Sequence, residues 1–232
     1  MVYQSSSLLF PGRCLVCGEN GLPGRDICAS CLDRLPANDP CCSCCAEPLP
    51  SEKADGSLCG ACSAKPPPFR RIIAPWRYAA PLDTLIRQLK FHHRLAAGRL
   101  LGELLAERIP AGPHPGLLLP VPQHPRQLKQ RGFNHSSEIT LALSRNTGIP
   151  WSPWALKKIR HTTAQHDLSR QDRLKNLKGC FAFDPPGEHQ HVAVVDDIVT
   201  TGATAREISL ALKKAGVAQV EFWAIARTPV QR

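Results

Sequence analysis

The sequence predicts an α/β fold, a parallel sheet flanked by helices, preceded by a small cysteine-rich module. Three observations predict it. Ten of the eleven cysteines fall within residues 14–62, and the composition changes sharply after Cys62. The apolar run Val192–Val195 is unbroken, as expected of a central parallel strand covered on both faces. A helical pattern over Ala203–Ala215, stopped by Gly216, and a further strand over Val220–Ala226 follow that run. Strand, helix, strand in that order makes a right-handed unit with parallel strands.

The remaining elements follow from spacing. Leu82, Leu85, Ile86 and Leu89 recur at helical intervals, and Leu100, Leu101, Leu104, Leu105 and Ile109 mark a second helix ended by Pro110. Gly116–Pro122 reads as a short buried strand, and Ser136–Ser144 as a helix with Gly148 just past its end. Residues 151–180 are polar and basic with few periodic apolar positions, so much of this stretch is expected to be loop. Lys65-Pro66-Pro67-Pro68 reads as a stiff linker. The expected domains are therefore a cysteine module over residues 10–65 and an α/β domain over 70–232.

Composition narrows the class. At 43 % hydrophobic residues the chain can bury a core, and its one long apolar run is too short to span a bilayer, so no membrane insertion is expected. The first residues offer only Leu8, Leu9 and Phe10 as an apolar patch, too little for a signal peptide, and a cytoplasmic location is expected. With 29 Lys+Arg against 19 Asp+Glu the net charge is +10, which draws polyanions such as nucleotides, pyrophosphate or nucleic acid.

In a reducing compartment dense, paired cysteines are metal ligands more often than disulfides. The pairs Cys14/Cys17, Cys28/Cys31, Cys42/Cys45 and Cys59/Cys62 each have the two-residue gap that lets one turn present two thiolates to a tetrahedral zinc. Cys41 and Cys44 offer an alternative third pair. Four pairs make two sites; the simplest partition joins the first two and the last two, and an interleaved one stays open. Four thiolates leave no open coordination position, so such Zn2+ sites are structural and supply folding energy to a module too small for a core of its own. Cys180 reads as a small buried apolar residue, and His92, His93, His189 and His191 as surface residues.

The strongest chemical signal is Val192-Ala-Val-Val-Asp196-Asp197-Ile-Val-Thr200-Thr201-Gly202-Ala203-Thr204. A buried strand would fix the two carboxylates at its C-terminal end, where open α/β sheets bind ligands. Adjacent carboxylates accept hydrogen bonds from vicinal hydroxyls, as on a ribose. The Thr200–Thr204 turn then enters a helix whose free N–H groups and dipole favour a phosphate, with Gly202 allowing close backbone approach. Phospho-acceptor receiver domains also carry an acidic pair after a strand, but near the domain's start and with no Thr-Thr-Gly-x-Thr loop behind it. The motif therefore reads as a site for a 5-phosphorylated ribose, with phosphoribosyl pyrophosphate (PRPP) as the expected ligand.

This stretch resembles the signature of type I phosphoribosyltransferases. From residue 14 to about 228 the chain further resembles the ComF family, also called GntX-like or competence-associated proteins. The resemblance rests on the cysteine pairs, on Leu85-Ile-Arg-Gln-Leu-Lys90-Phe91, Pro120-Val-Pro-Gln-His-Pro-Arg126, Arg131-Gly-Phe-Asn134, Arg160-His-Thr-Thr-Ala-Gln165 and Arg173-Leu-Lys-Asn-Leu-Lys-Gly-Cys-Phe181. It implies the type I phosphoribosyltransferase fold behind a double zinc ribbon. Its register, with Pro48-Leu49, favours Cys42/Cys45 over Cys41/Cys44. His135 stands where the family commonly has Gln, and Ala46 replaces a usual glycine.

A pyrophosphate ester needs a second anion site. Gln123, His124 and Arg126 follow a strand where this fold places its pyrophosphate loop, and Arg131 lies nearby. Arg160 and Gln165, with Arg170 and Arg173, lie on a polar stretch suited to a water-excluding lid. Asp196, Asp197, Arg160 and Gln165 are thus the candidate catalytic residues. Asp196, Asp197, Thr200, Thr201, Gly202, Ala203, Thr204, Gln123, His124, Arg126 and Arg131 are the candidate PRPP contacts. Mg2+ would accompany the pyrophosphate. The expected reaction is transfer of phosphoribose to an unnamed acceptor. The competing expectation is a non-catalytic PRPP sensor whose basic surface and zinc ribbons hold single-stranded DNA or DNA-uptake proteins.

Overall fold

The computed structural model describes residues 12–54, 56–125, 128–129, 132–160 and 177–229. Its centre is a parallel sheet. The strands are β1 (Arg71–Ile73), β2 (Trp76–Arg77), β3 (Leu117–Pro120), β6 (His191–Val199) and β7 (Gln219–Arg227), in the order β1-β7-β6-β3, with β2 extending the β1 edge along β7. The unbroken apolar runs in β3, β6 and β7 are explained by burial on both sides, since alternate residues of a strand face opposite ways. Ala193, Val195, Trp223 and Ile225 enter one core; Val192, Val194, Phe222 and Ala224 enter the other.

Helices α3 (Leu82–His92), α4 (Leu95–Ala106) and α5 (His135–Thr147) cover the first face. The α3 stripe Leu82, Leu85, Ile86 and Leu89 is fully buried, as its spacing predicts. Helix α5 is capped by Asn134, whose side chain accepts from the Ser136 amide at 3.1 Å, and it ends on Gly148 in the left-handed region (φ 72°). Helix α6 (Ala203–Lys214) covers the second face with Ala205, Ile208 and Leu212.

The structure refines the sequence reading at three places. Helix α4 begins at Leu95, earlier than the leucine pattern indicates, because Ala97, Gly98 and Gly102 are also on its buried face and carry no strong hydrophobic signal. Residues 156–158 are not loop: β4 (Leu156–Lys158) pairs antiparallel with β5 (Phe181–Phe183) as a separate ribbon. The edge strands β1 and β2, broken by Ala74-Pro75, are too short to show a period. The expected loop between β4 and β5 at 161–176 lies outside the described residues.

The cysteine module carries two short helices, α1 (Ala29–Asp33) and α2 (Gly60–Ala64). Its first half does not stand apart. Cys14, Ile27, Cys31 and Leu35 join the core formed by α3, α4 and the sheet. The Gln88 side chain of α3 donates to the Leu15 carbonyl at 2.6 Å, and Arg99 of α4 pairs with Asp26 at 2.5 Å. No helix among the described residues is long and apolar enough to cross a membrane.

Candidate functional site

Strand β6 delivers the acidic pair to the C-terminal edge of the sheet, between the ends of β3 and β7. Asp196 is partly exposed and Asp197 is 7 % exposed. Asp196 Oδ1 accepts from the Ser136 hydroxyl at 3.2 Å and from the Asp197 amide at 2.9 Å. Asp197 Oδ1 accepts from the Ile198 amide at 2.7 Å, and its Oδ2 meets Lys90 Nζ at 2.6 Å.

Burial and the neighbouring Asp197 charge push the Asp196 carboxyl up to about 7, against the pull of Lys90, the Asp197 amide and Ser136. Burial alone would lower the Lys90 pKa, but Asp197 and Asp196 reverse that and raise it, so the ammonium is held charged. Among the described residues, Asp196 Oδ2 is the one oxygen of the pair with no protein partner. Sequence reasoning noted Lys90 without a role and did not single out Ser136. Each comes from a different helix, α3 and α5, and only the packing of those helices on β6 brings them here.

Past Val199 the chain turns through Thr200–Thr204 into α6. Gly202 adopts φ 74°, the left-handed conformation that favours glycine, and Thr201 Oγ1 accepts from the Ala203 amide at 3.3 Å. Asp196, Ile198, Val199, Thr200–Ala205 and Phe222 line a narrow recess here. Among the described residues no protein acceptor faces the amides of Thr201 and Gly202. They point free N–H groups at the start of a 12-residue helix, an arrangement suited to an anion.

The second loop leaves β3 beside this edge. Pro120 lies opposite Val195, and the Val121 amide donates to the Val195 carbonyl at 2.9 Å. Gln123 Nε2 donates to His135 Nδ1 at 3.0 Å, so His135, 2 % exposed and edge-on to Phe133, supports the loop from the first turn of α5. Gln123 also lines a wide groove of about 540 Å³ with Phe133, Trp151 and Trp154. His124 lies on the same loop, whereas Arg126, Arg131 and Gln165 lie outside the described residues, as do Arg170 and Arg173. The Arg160 guanidinium donates to the Lys178 carbonyl at 2.5 Å and to Cys180 Sγ at 3.4 Å. It ties the ends of the β4–β5 ribbon, and among the described residues it makes no contact with the acidic pair.

The thiols of Cys14, Cys17, Cys28 and Cys31 form one group, and those of Cys42, Cys45, Cys59 and Cys62 a second, with every sulfur within 4.8 Å of the others in its group. Cys17 and Cys28 sulfurs stand 3.7 Å apart and those of Cys45 and Cys59 3.6 Å apart. Four sulfurs about 2.3 Å from one zinc ion stand about 3.8 Å from one another, so both clusters fit zinc. Despite burial, amide donors lower the Cys14 thiol to about 6 and the Cys42 thiol to about 7. Burial and neighbouring thiols push Cys31 and Cys45 up to about 12 and Cys62 higher still. Four thiolates this close repel one another unless a cation sits among them.

The clusters are built by an internal repeat. Arg13 bridges Asn20 and Cys41 bridges Pro48; the amides of Cys14 and Cys42 donate to Glu19 and Glu47, each at 2.8 Å. This register puts Cys42 and Cys45, not Cys41 and Cys44, in the turn that faces the second cluster. It also places Ala46 where the first turn has Gly18, both left-handed, at φ 54° and 81°. That conformation is the physical reason a glycine is usual at this position.

The double zinc ribbon family matches residues 5–66. The DNA utilization protein YhgH of Escherichia coli K12 is 36 % identical over 228 residues, covering 95 % of this chain and 99 % of that protein. Competence protein F of Haemophilus influenzae is 31 % identical over 228 residues, covering 94 % and 98 %. Among solved structures, the Bacillus subtilis glutamine PRPP amidotransferase complexed with ADP and GMP aligns over 55 % of this chain and a quarter (25 %) of its own, at 21 % identity and a TM-score of 0.38. Carrying a double zinc ribbon ahead of an α/β parallel sheet, and matching these relatives nearly end to end, the chain belongs to the ComF family, with the DNA utilization protein YhgH and competence protein F.

Proposed function

We propose that the protein binds Mg-PRPP at the end of β6 and transfers its phosphoribosyl group to an acceptor. The observation that carries this is the sharing of one edge by the Asp196/Asp197 carboxylates and the open amides of Thr201 and Gly202. Ribose hydroxyls donate to the carboxylates while the 5-phosphate accepts from the loop at the start of α6. In this reading Gln123 and His124, on the loop beside β6, contact the pyrophosphate; the sequence candidates Arg126 and Arg131 lie outside the described residues.

Mg2+, arriving with the pyrophosphate, would offset the charge of that departing group. The chain's own contribution is positioning and charge. Lys90 orients Asp197 through their 2.6 Å ion pair, and the Ser136 hydroxyl orients Asp196. The eight clustered cysteines hold two structural Zn2+ ions, and the chain works in the cytoplasm.

Calorimetry on Asp196→Asn with Asp197→Asn tests the site. Mg-PRPP affinity should fall at least about 100-fold, the loss of two charge-assisted hydrogen bonds, with the fold unchanged. Unchanged affinity would remove the carboxylates from the site. Acceptor-dependent pyrophosphate release, screened across nucleobases and amines, tests the transfer.

A second reading is favoured by the +10 charge and by relatives named for DNA utilization and competence. Here the pocket senses PRPP and the basic surface holds single-stranded DNA. PRPP binding without pyrophosphate release, together with DNA affinity that drops steeply with salt, distinguishes it.

A further inference from the structure

Arg227, the last residue of β7, is 3 % exposed, yet its donors all go to segments distant in sequence or to the chain end beside it. Nε donates to the Cys45 carbonyl at 3.2 Å, and Nη2 pairs with Glu47 at 2.6 Å. Nη1 donates to the carbonyls of Val199 and Thr228, each at 3.1 Å, and to that of Thr200. One planar guanidinium thus joins the turn that carries Cys42 and Cys45 to the first residues of the Thr200–Thr204 loop.

Besides Arg227, the Thr228 amide donates to the Val199 carbonyl at 3.0 Å, and Ala46, Val199 and Ala203 share one apolar cluster. Between the second cysteine cluster and the loop lies a cavity of about 390 Å³ lined by Cys45, Cys59, Cys62, Thr201, Gly202 and Arg227, among others. The loop therefore does not rest on a packed wall on that side. It hangs from β6 and α6 and is tied across the gap by Arg227. A lysine could not replace it, because a single ammonium cannot span donors set in a fixed fork. Asn38 fixes the other end of the same turn, donating to the Ala46 and Ala74 carbonyls at 2.9 and 3.0 Å.

We propose that Arg227 is a positioning residue through which the second four-cysteine site sets the shape of the phosphate loop. With the site closed around zinc, the Cys45 carbonyl and Glu47 are fixed, Arg227 is fixed on them, and the Val199 and Thr200 carbonyls are held so that the Thr201 and Gly202 amides point outward. Losing the metal frees the turn, Arg227 loses two of its anchors, and the loop loses its outward set. The consequence for affinity rests on the PRPP reading; the coupling itself does not.

Hydrogen exchange by mass spectrometry, on full-length protein without ligand, separates the two. In Arg227→Ala with both zinc ions retained by elemental analysis, the bonded amides at the loop's edges, those of Ala203, Arg206 and Thr228, should exchange about tenfold faster, the scale of one lost charge-assisted hydrogen bond, while β3 and β6 core amides keep their protection. Because Arg227 borders the cavity, millimolar ethylguanidinium should restore protection, and Arg227→Lys should not. Cys59→Ser with Cys62→Ser, holding one zinc per chain, should speed the same loop. Glu47→Gln, which keeps the shape and removes the ion pair, should give an intermediate effect even if the bolder variants fold poorly. Unchanged loop exchange in zinc-replete Arg227→Ala, or equal acceleration throughout the sheet, overturns the coupling. Mg-PRPP titration of the same proteins should show about tenfold weaker binding. If the parent protein does not bind Mg-PRPP at all, the PRPP reading fails while the exchange experiment still decides the coupling.

Discussion

At Asp196 the structure sets a cost on the empty site. Its carboxyl is raised from 3.8 to about 7, chiefly by burial and then by Asp197. A raised acid binds more protons folded than unfolded, so the stability it contributes is present below about pH 4 and is lost as pH rises through about 7. Urea unfolding should therefore show stability falling by roughly 4 kcal/mol at most across that window from this group. Asp196→Asn should remove the slope, because an amide oxygen still accepts from Ser136 and from the Asp197 amide. The same variant should be more stable than the parent at pH 8 and bind Mg-PRPP worse. A parent protein whose stability is flat from pH 4 to 8 would show that Lys90 fully compensates the pair. Neither Ser136 nor the effect of Lys90 is legible in the thirteen-residue motif, since both act through space from other helices.

Among the helices, α4 and α5 approach closely enough that glycines are required between them. A Cβ on Gly102 would stand 2.6 Å from the Ala142 Cβ and 2.6 Å from the Ile139 carbonyl oxygen, and one on Gly98 would stand 2.9 Å from the Glu138 Cβ. The Gly102 neighbours include backbone and cannot swing aside. Gly102→Ala should cost about 1–3 kcal/mol in chemical denaturation, by forcing the helices apart. Since Ser136 and His135 sit in the first turn of α5, the same shift should weaken ligand binding without touching a ligand contact. A Gly102→Ala protein of parental stability would contradict this packing. The pattern Gly98-x-x-x-Gly102 is visible in the sequence, but only the facing Ala142 gives it meaning.

For the molecule as a whole, the cysteine module is part of the structure that holds the sheet. The first cluster lends Cys14, Ile27, Cys31 and Leu35 to the larger core, and the second is tied to the sheet by Arg227 and Asn38. Elemental analysis should find two zinc ions per chain. Removing them with a chelator should lower the unfolding temperature of the α/β part and keep a single transition, since structural zinc supplies folding energy and the cores are shared. A separate low-temperature transition, with the remainder unaffected, would instead describe two independent domains.

By itself the sequence determined the order of strands and helices around β6, the acidic pair with its threonine loop, and the paired cysteines. Each of these is written in local periodicity or in spacing over a few residues, which chain geometry converts directly into structure. Only the tertiary structure decided the rest. It settled how the four cysteine pairs divide into two clusters, brought Lys90 and Ser136 to the carboxylates, and set Arg227 across 182 residues from Cys45. It also anchored Arg160 on its own ribbon. Those outcomes depend on which helix faces meet and which backbone carbonyls lack a donor, and neither leaves a periodic trace along the chain.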